Sequence, residues 1–176
     1  MRGRVLSVAR HPAHGSGKDV TDEITLVAGM GVEGDVHYGA TLRHESHNPD
    51  GPNLRQVHLM SQEMLDALSL KGFALKPGQI GENILTEGID LPHLPTGSLI
   101  RFGSGALVVL TGRRNPCAQL DGIKPGLLAA CAERDASGVM WRIGVMAMVV
   151  EGGVVRPGAE AILRIPPAPH HPLARV

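Results

Sequence analysis

Ser98-Leu99-Ile100-Arg101-Phe102-Gly103-Ser104-Gly105-Ala106-Leu107-Val108-Val109-Leu110-Thr111 is the stretch that decides the fold class. Two apolar runs flank Gly103-Ser104-Gly105, a three-residue loop suited to closing a β-hairpin. Similar short runs lie upstream, at residues 5–9, 24–28, 56–59 and, after the Pro77-Gly78 turn, 83–86, with a polar loop over 11–21 between the first two. Gln56-Val57-His58-Leu59 alternates polar and apolar, as a half-buried strand does. Downstream, residues 141–150 read as one long apolar strand, which turns at Glu151-Gly152-Gly153 into Val154-Val155, and 161–165 closes the series. Helices are few and short. Ser61 can cap one over 62–70, with Met64, Leu65 and Leu68 on one face, and Pro125-Gly126 can start another over 127–134.

Short strands separated by glycine turns predict a mainly β fold, whose edges are best hidden by closing or partly closing a barrel. Residues 1–165 are expected to form a single domain. The tail 166–176, rich in proline and histidine, is expected to be disordered and unable to join a sheet.

The 176 residues carry 17 basic and 17 acidic side chains, so no excess charge calls for a nucleic-acid or membrane partner. Aromatic residues make up 2% of the chain, too few for base-stacking platforms. With only Cys117 and Cys131, a secreted disulfide framework is excluded, and a reducing cytoplasm is the expected location. No apolar run suits a signal peptide or a membrane-spanning helix.

Arg113-Arg114-Asn115-Pro116-Cys117 places a thiol just after the 106–110 apolar run and beside two guanidiniums. Fixed positive charge favours the thiolate, the form that attacks and that binds metals. Cys131 sits in an apolar helical stretch and reads as inert core. Trp141 needs no role beyond packing. Gly29-Met30-Gly31-Val32-Glu33-Gly34 matches the dinucleotide-binding spacing, but Asp35-Val36-His37-Tyr38-Gly39 does not continue as the required helix. Turn-forming backbone near a ligand is the better reading. His37, His44, His47 and His58, with Glu33, Asp35, Glu45 and Asp50, have the composition of a zinc site, but the 44–51 segment reads as a surface loop. Gly78-Gln79-Ile80-Gly81-Glu82-Asn83 brings an amide and a carboxylate to the start of a strand, where they could meet a polar heterocycle.

Four of these motifs occur in one order: Gly31-Val32-Glu33-Gly34-Asp35-Val36-His37, Arg55-Gln56-Val57-His58-Leu59, Gly81-Glu82-Asn83-Ile84 and Arg114-Asn115-Pro116-Cys117. Together they closely resemble the MOSC domain, found at the C-terminus of molybdenum cofactor sulfurases and as stand-alone bacterial proteins. The resemblance runs from about residue 5 to 165. It implies a β-barrel with a cofactor pocket at one end, and molybdenum cofactor as the ligand. It also implies that Cys117 ligates molybdenum or carries sulfur. Val36 stands where the family usually has arginine, which removes one cation from that side of the pocket.

Arginines suit the cofactor's phosphate, so Arg55, Arg113 and Arg114 are candidates, with Asn115 beside them. Glu82 and Asn83 are candidates for the pterin edge, and His37 and His58 for proton relay. Pyridoxal phosphate is not favoured, since no domain for it is visible. Three functions fit: a reductase of N-hydroxylated bases fed by a separate electron donor, a module that receives sulfur from a donor protein or holds the cofactor without turnover, and a barrel that has lost the chemistry. The oligomeric state stays open.

Overall fold

The structure is a computed structural model that describes residues 1–15, 17–41, 50–103, 105–135 and 138–176. The decisive stretch forms the expected hairpin. β7 (Leu99–Phe102) and β8 (Leu107–Arg113) pair antiparallel, with Ile100 opposite Val108, while Ser104 at the loop's centre lies outside the described residues. Thirteen strands and three short α-helices are present among the described residues.

Seven strands close a barrel. Its order is β13 (Glu160–Arg164), β7, β8, β11 (Val145–Glu151), β5 (Val57–Ser61), β6 (Ile84–Glu87) and β1 (Arg2–Arg10), and β1 returns to β13. The nine-residue β1 is the seam: Arg2–Arg4 pairs with β13, Arg4–Val8 with β6, and Val8–Arg10 with β2 (Asp19–Thr21). Within the barrel only β5 and β6 are parallel, because α1 (Gln62–Leu70) crosses between them. Ser61 starts α1 in extended backbone without a side-chain capping bond.

The alternation of strand residues divides the apolar set in two. Val57, Leu59, Ile84, Val145, Ala147 and Val149 fill the barrel with Ile100, Phe102 and Val108. Met60, Leu85 and Ile143 point the other way, into a second cluster with Met64, Leu65 and Leu68 of α1. Leu120 of α2 (Gln119–Ile123) and Leu127 of α3 (Leu127–Ala130) complete that cluster. Two layers of packing on one barrel wall follow from strand periodicity.

The glycine-rich stretch after residue 28 is a turn between β3 (Ile24–Val27) and β4 (Gly31–Val32), and no helix follows it. Gly31 is held at φ +109, where an added Cβ would stand 2.8 Å from the Gln56 carbonyl oxygen. Buried Gln56 fixes this turn to the barrel: its amide donates to Gly29 O at 2.7 Å and its oxygen accepts from Val149 N at 3.0 Å.

Four expectations need correction. Residues 19–21, read as loop, are strand β2. The helix expected over 127–134 stops at Ala130, because residues 132–135 form β9 (Ala132–Asp135) and pair with β10 (Gly138–Trp141). The single strand expected over 141–150 is two, β10 and β11, separated at Gly144 with φ +97. An added Cβ there would lie 2.3 Å from His58 Nε2 and 2.5 Å from Leu59 O, so this break requires glycine.

The C-terminal residues are not a loose tail. Leu173 is 3% exposed within the barrel cluster, and Arg113 N donates to Ala174 O at 2.6 Å. Bridges join Pro172 to Pro95 and Arg175 to Arg113. Proline forbids donation at 172 but not acceptance, and beyond it the chain regains its amides. Among the described residues no helix is long and apolar enough to cross a membrane. Leu173→Ala is expected to cost about 2–4 kcal/mol, as a large-to-small core change does. A denaturant midpoint unchanged from wild type would show that the terminal segment adds nothing to the packing.

Candidate active site

Asp35 organises the site. Its side chain has no exposed surface, and five donors from three chain segments converge on it. Lys18 Nζ lies 2.7 Å from Oδ2 and 2.9 Å from Oδ1. Asn83 donates from Nδ2 at 3.0 Å, His37 N at 3.1 Å, His37 Nδ1 stands at 3.3 Å and His11 N donates at 3.3 Å. Burial pushes the Asp35 carboxyl upward, but the His37 bonds and the Lys18 ammonium outweigh it and hold it below the usual carboxylate range. Lys18 is buried with it, 5% exposed, and burial lowers its own pKa against the pull of Asp35.

Asn83 carries the arrangement into the barrel wall. Its oxygen accepts from His58 N at 3.0 Å, and its amide also donates to Ala9 O at 3.1 Å. His58 and Met146 are register partners on β5 and β11, and they face away from the interior that Val57, Leu59, Val145 and Ala147 fill. His58 is bonded from Nε2 to Ile143 O at 2.8 Å, the carbonyl exposed by the break between β10 and β11. Burial, and then the positive charge of Arg114, lower the His58 pKa well below its ordinary value, so the ring is neutral with its proton on Nε2.

Against this outer wall lies a cavity of about 120 Å³. Lys18, Arg55 and Arg114 reach its lining, as do His11, His14, His37 and His58, and among the described residues no carboxylate does. His14 and His37 meet edge to face with ring centres 5.8 Å apart. Arg114 donates to the neutral Ile80 carbonyl at 2.5 Å, and burial lowers its pKa although Cys117 and Glu82 pull the other way.

Cys117 is half-buried on the turn that enters α2, and its carbonyl accepts from Leu120 N. Its thiol lies 3.6 Å from Gln119 Oε1, and Gln119 and Leu120 both line the cavity. Cys131, by contrast, is 1% exposed, and burial pushes its thiol up to about 11. Among the described residues no group of histidine, cysteine and carboxylate side chains is poised to hold a metal ion. His44, His47 and Glu45 lie outside them.

The structure therefore gathers His37, His58, Arg55, Asn83 and Arg114 at one cavity, while Cys117 is not on its lining but contacts Gln119, which is. Three other candidates are not on its wall. Glu82 is 1% exposed and braces the 78–81 turn, with Gly78 N donating to Oε1 at 2.5 Å, Oε2 unbonded, and burial raising its pKa. Arg113 faces the opposite side from Arg114, because consecutive strand residues alternate. Asn115 is exposed. Asn83 lines the cavity but spends both polar ends on protein partners. Sequence reading missed Lys18, His11, His14 and Gln119. Lys18 and the two histidines sit in what reads as an ordinary polar loop, and only the fold lays that loop over Asp35.

The MOSC domain is matched over residues 33–161 of this chain. The chain belongs to the MOSC domain family. YuaD of Bacillus subtilis strain 168, named for metal-sulfur cluster biosynthesis, is 30% identical over 145 residues, covering 74% of each chain. The YuaD crystal structure superposes with a TM-score of 0.80 at 24% identity, covering 95% of this chain and 98% of that one. The fold is also that of YiiM from Escherichia coli, with a TM-score of 0.63 at 22% identity over 97% of this chain and 73% of that one. This MOSC barrel thus belongs to a family associated with molybdenum cofactor.

Removing Asp35 leaves Lys18 buried and uncompensated, so Asp35→Ala should destabilise by roughly 3–5 kcal/mol, read by chemical denaturation. The pH dependence has a defined sign. His58 and Asp35 bind protons less readily folded than unfolded, so stability falls as pH drops below about 6.5 and again below about 4. Glu82 opposes this: its raised pKa contributes stability at low pH that is lost as pH rises past its ordinary 4.5. The urea midpoint should decrease from pH 7.5 to 5.5, and His58→Gln should flatten that slope.

Proposed function

We propose that this MOSC domain binds molybdenum cofactor at the cavity and reduces N-hydroxylated compounds, using electrons from a separate donor protein. The observation that carries this is a lining of cations and histidines, free of carboxylates among the described residues, with a half-buried thiol in contact with lining residue Gln119. The donor set fits the group. A phosphate end is suited by Arg55, Arg114 and Lys18, although Lys18 has part of its charge offset by Asp35. A soft metal already held by dithiolene sulfur is suited by the Cys117 thiolate. The bound cofactor would supply the two-electron redox centre.

The chain's own residues then have distinct tasks. Arg114, held in place by its bond to Ile80 O, sets a positive charge within electrostatic reach of Cys117. His37, 43% exposed at the mouth and steadied by Asp35, can deliver protons from solvent. Buried neutral His58 orients the wall. Converting R–NH–OH to R–NH₂ takes two electrons and two protons and releases water, so a proton path is needed as well as an electron source. Val36 lines the cavity where the family usually has arginine, so this chain grips the anion from the Arg114 side.

A second reading has Cys117 carry sulfur as a persulfide and hand it on without turnover. The similarity to YuaD, named for metal-sulfur cluster biosynthesis, favours it. Turnover separates the two. A reduced electron donor plus an N-hydroxylated purine should yield the parent base under the first reading, whereas the second expects cyanide-labile sulfur and no reduction. Cys117→Ser, made in a host that synthesises the cofactor, should lose most of its molybdenum by elemental analysis. Unchanged metal content and unchanged reductase activity would remove Cys117 from the mechanism.

A further inference from the structure

The alternation that sends Arg114 to the cavity sends Arg113 to the other side of the strand, into a separate groove of about 530 Å³. One wall is the two-stranded ribbon of β9 and β10. Arg134 and Val139 are cross-strand partners there, and Trp141 lies two residues beyond Val139, so all three share one face. The other wall is the terminal segment Leu173-Ala174-Arg175, held against Arg113 by backbone bonds. The floor is apolar: Leu173 is 3% exposed, and Trp141 is half-buried.

Three guanidiniums, those of Arg113, Arg134 and Arg175, therefore border one groove, and no carboxylate is in its lining among the described residues. Among the described residues none of the three has an ion-pair partner, and Arg113 Nε is buried without a hydrogen bond. Most other arginines with exposed heads in this chain are paired, including Arg2 with Glu160, Arg4 with Glu87, Arg101 with Glu151 and Arg156 with Glu23. Like charges left together, with one donor orphaned by burial, lower their energy by taking up an anion. The indole face and the apolar floor add a preference for a flat ring. The volume falls within the range of small-ligand sites.

We infer that this groove is a second binding site, distinct from the cavity, for an anion that carries a flat ring, the chemistry of an aromatic phosphate ester. A phosphate takes forked contacts from the guanidiniums while the ring lies on Trp141. The site stands on its own geometry and does not depend on the cofactor reading. It also gives the terminal segment a task, since that segment supplies one wall.

Trp141 is the single tryptophan of the chain, so its fluorescence reports directly on the groove. The probes are adenosine monophosphate and phenyl phosphate, titrated at low salt, with adenosine and inorganic phosphate as the separated halves. Both esters should give a saturable change, at least tenfold tighter than either half and weakened by added salt. Arg134→Glu and Arg175→Glu change exposed side chains and should fold normally by thermal melt. Each should weaken ester binding tenfold or more, whereas Arg114→Gln on the cavity side should leave it unchanged. No saturable response to either ester overturns the inference, and so does binding that survives both charge reversals. An acidic peptide that saturates the signal while the esters do not would overturn the ligand class and make the groove a protein-docking surface.

Discussion

A single buried carboxylate ties the site together. Asp35 has no access to water, so its charge persists only because Lys18, His37, His11 and Asn83 all donate to it. Those donors come from the loop after β1, from the turn after β4 and from the entry to β6. An isolated buried charge costs several kcal/mol, so each of these segments is held where the carboxylate needs it. The cavity wall is a by-product of that requirement. Moving Asp35 would release the His11–Lys18 loop, free Asn83 and loosen the backbone of His58 together.

The second constraint is strand alternation at the end of β8. Arg113 and Arg114 are adjacent in sequence, yet one faces the ribbon groove and the other the cavity. The same rule turns His58 and Met146 outward while their neighbours fill the barrel. A MOSC barrel of this kind keeps its chemistry on the outer face of a packed wall. The interior is left to Val, Leu, Ile, Ala and one Phe, whose side chains carry no polar atom that would need satisfying.

Much of this was legible in the residues. The 98–111 hairpin, the 62–70 helix and the 161–165 strand have periodicity strong enough to read alone, and the ordered motifs ending in Cys117 pointed to the family. Misreadings fell where a tertiary partner decided. Residues 132–134 favour a helix locally but become strand because β10 pairs with them. Gly144 reads as a tolerated glycine in a strand, while its real role is to make room for His58. Glu82 reads as a ligand-facing carboxylate, but it is folded inward to brace the turn at Gly78.

By itself the sequence determined the barrel, the family and the presence of a thiol beside two arginines. These depend on side-chain period and on motif order, which are local properties of a chain. Only the tertiary structure decided which arginine serves the cavity, that Lys18 and His14 reach it, and that the terminal segment packs rather than frays. Those outcomes depend on which segments share one buried charge and on which wall a chain end finds to cover. Such contacts span many residues of sequence, and no local pattern encodes them.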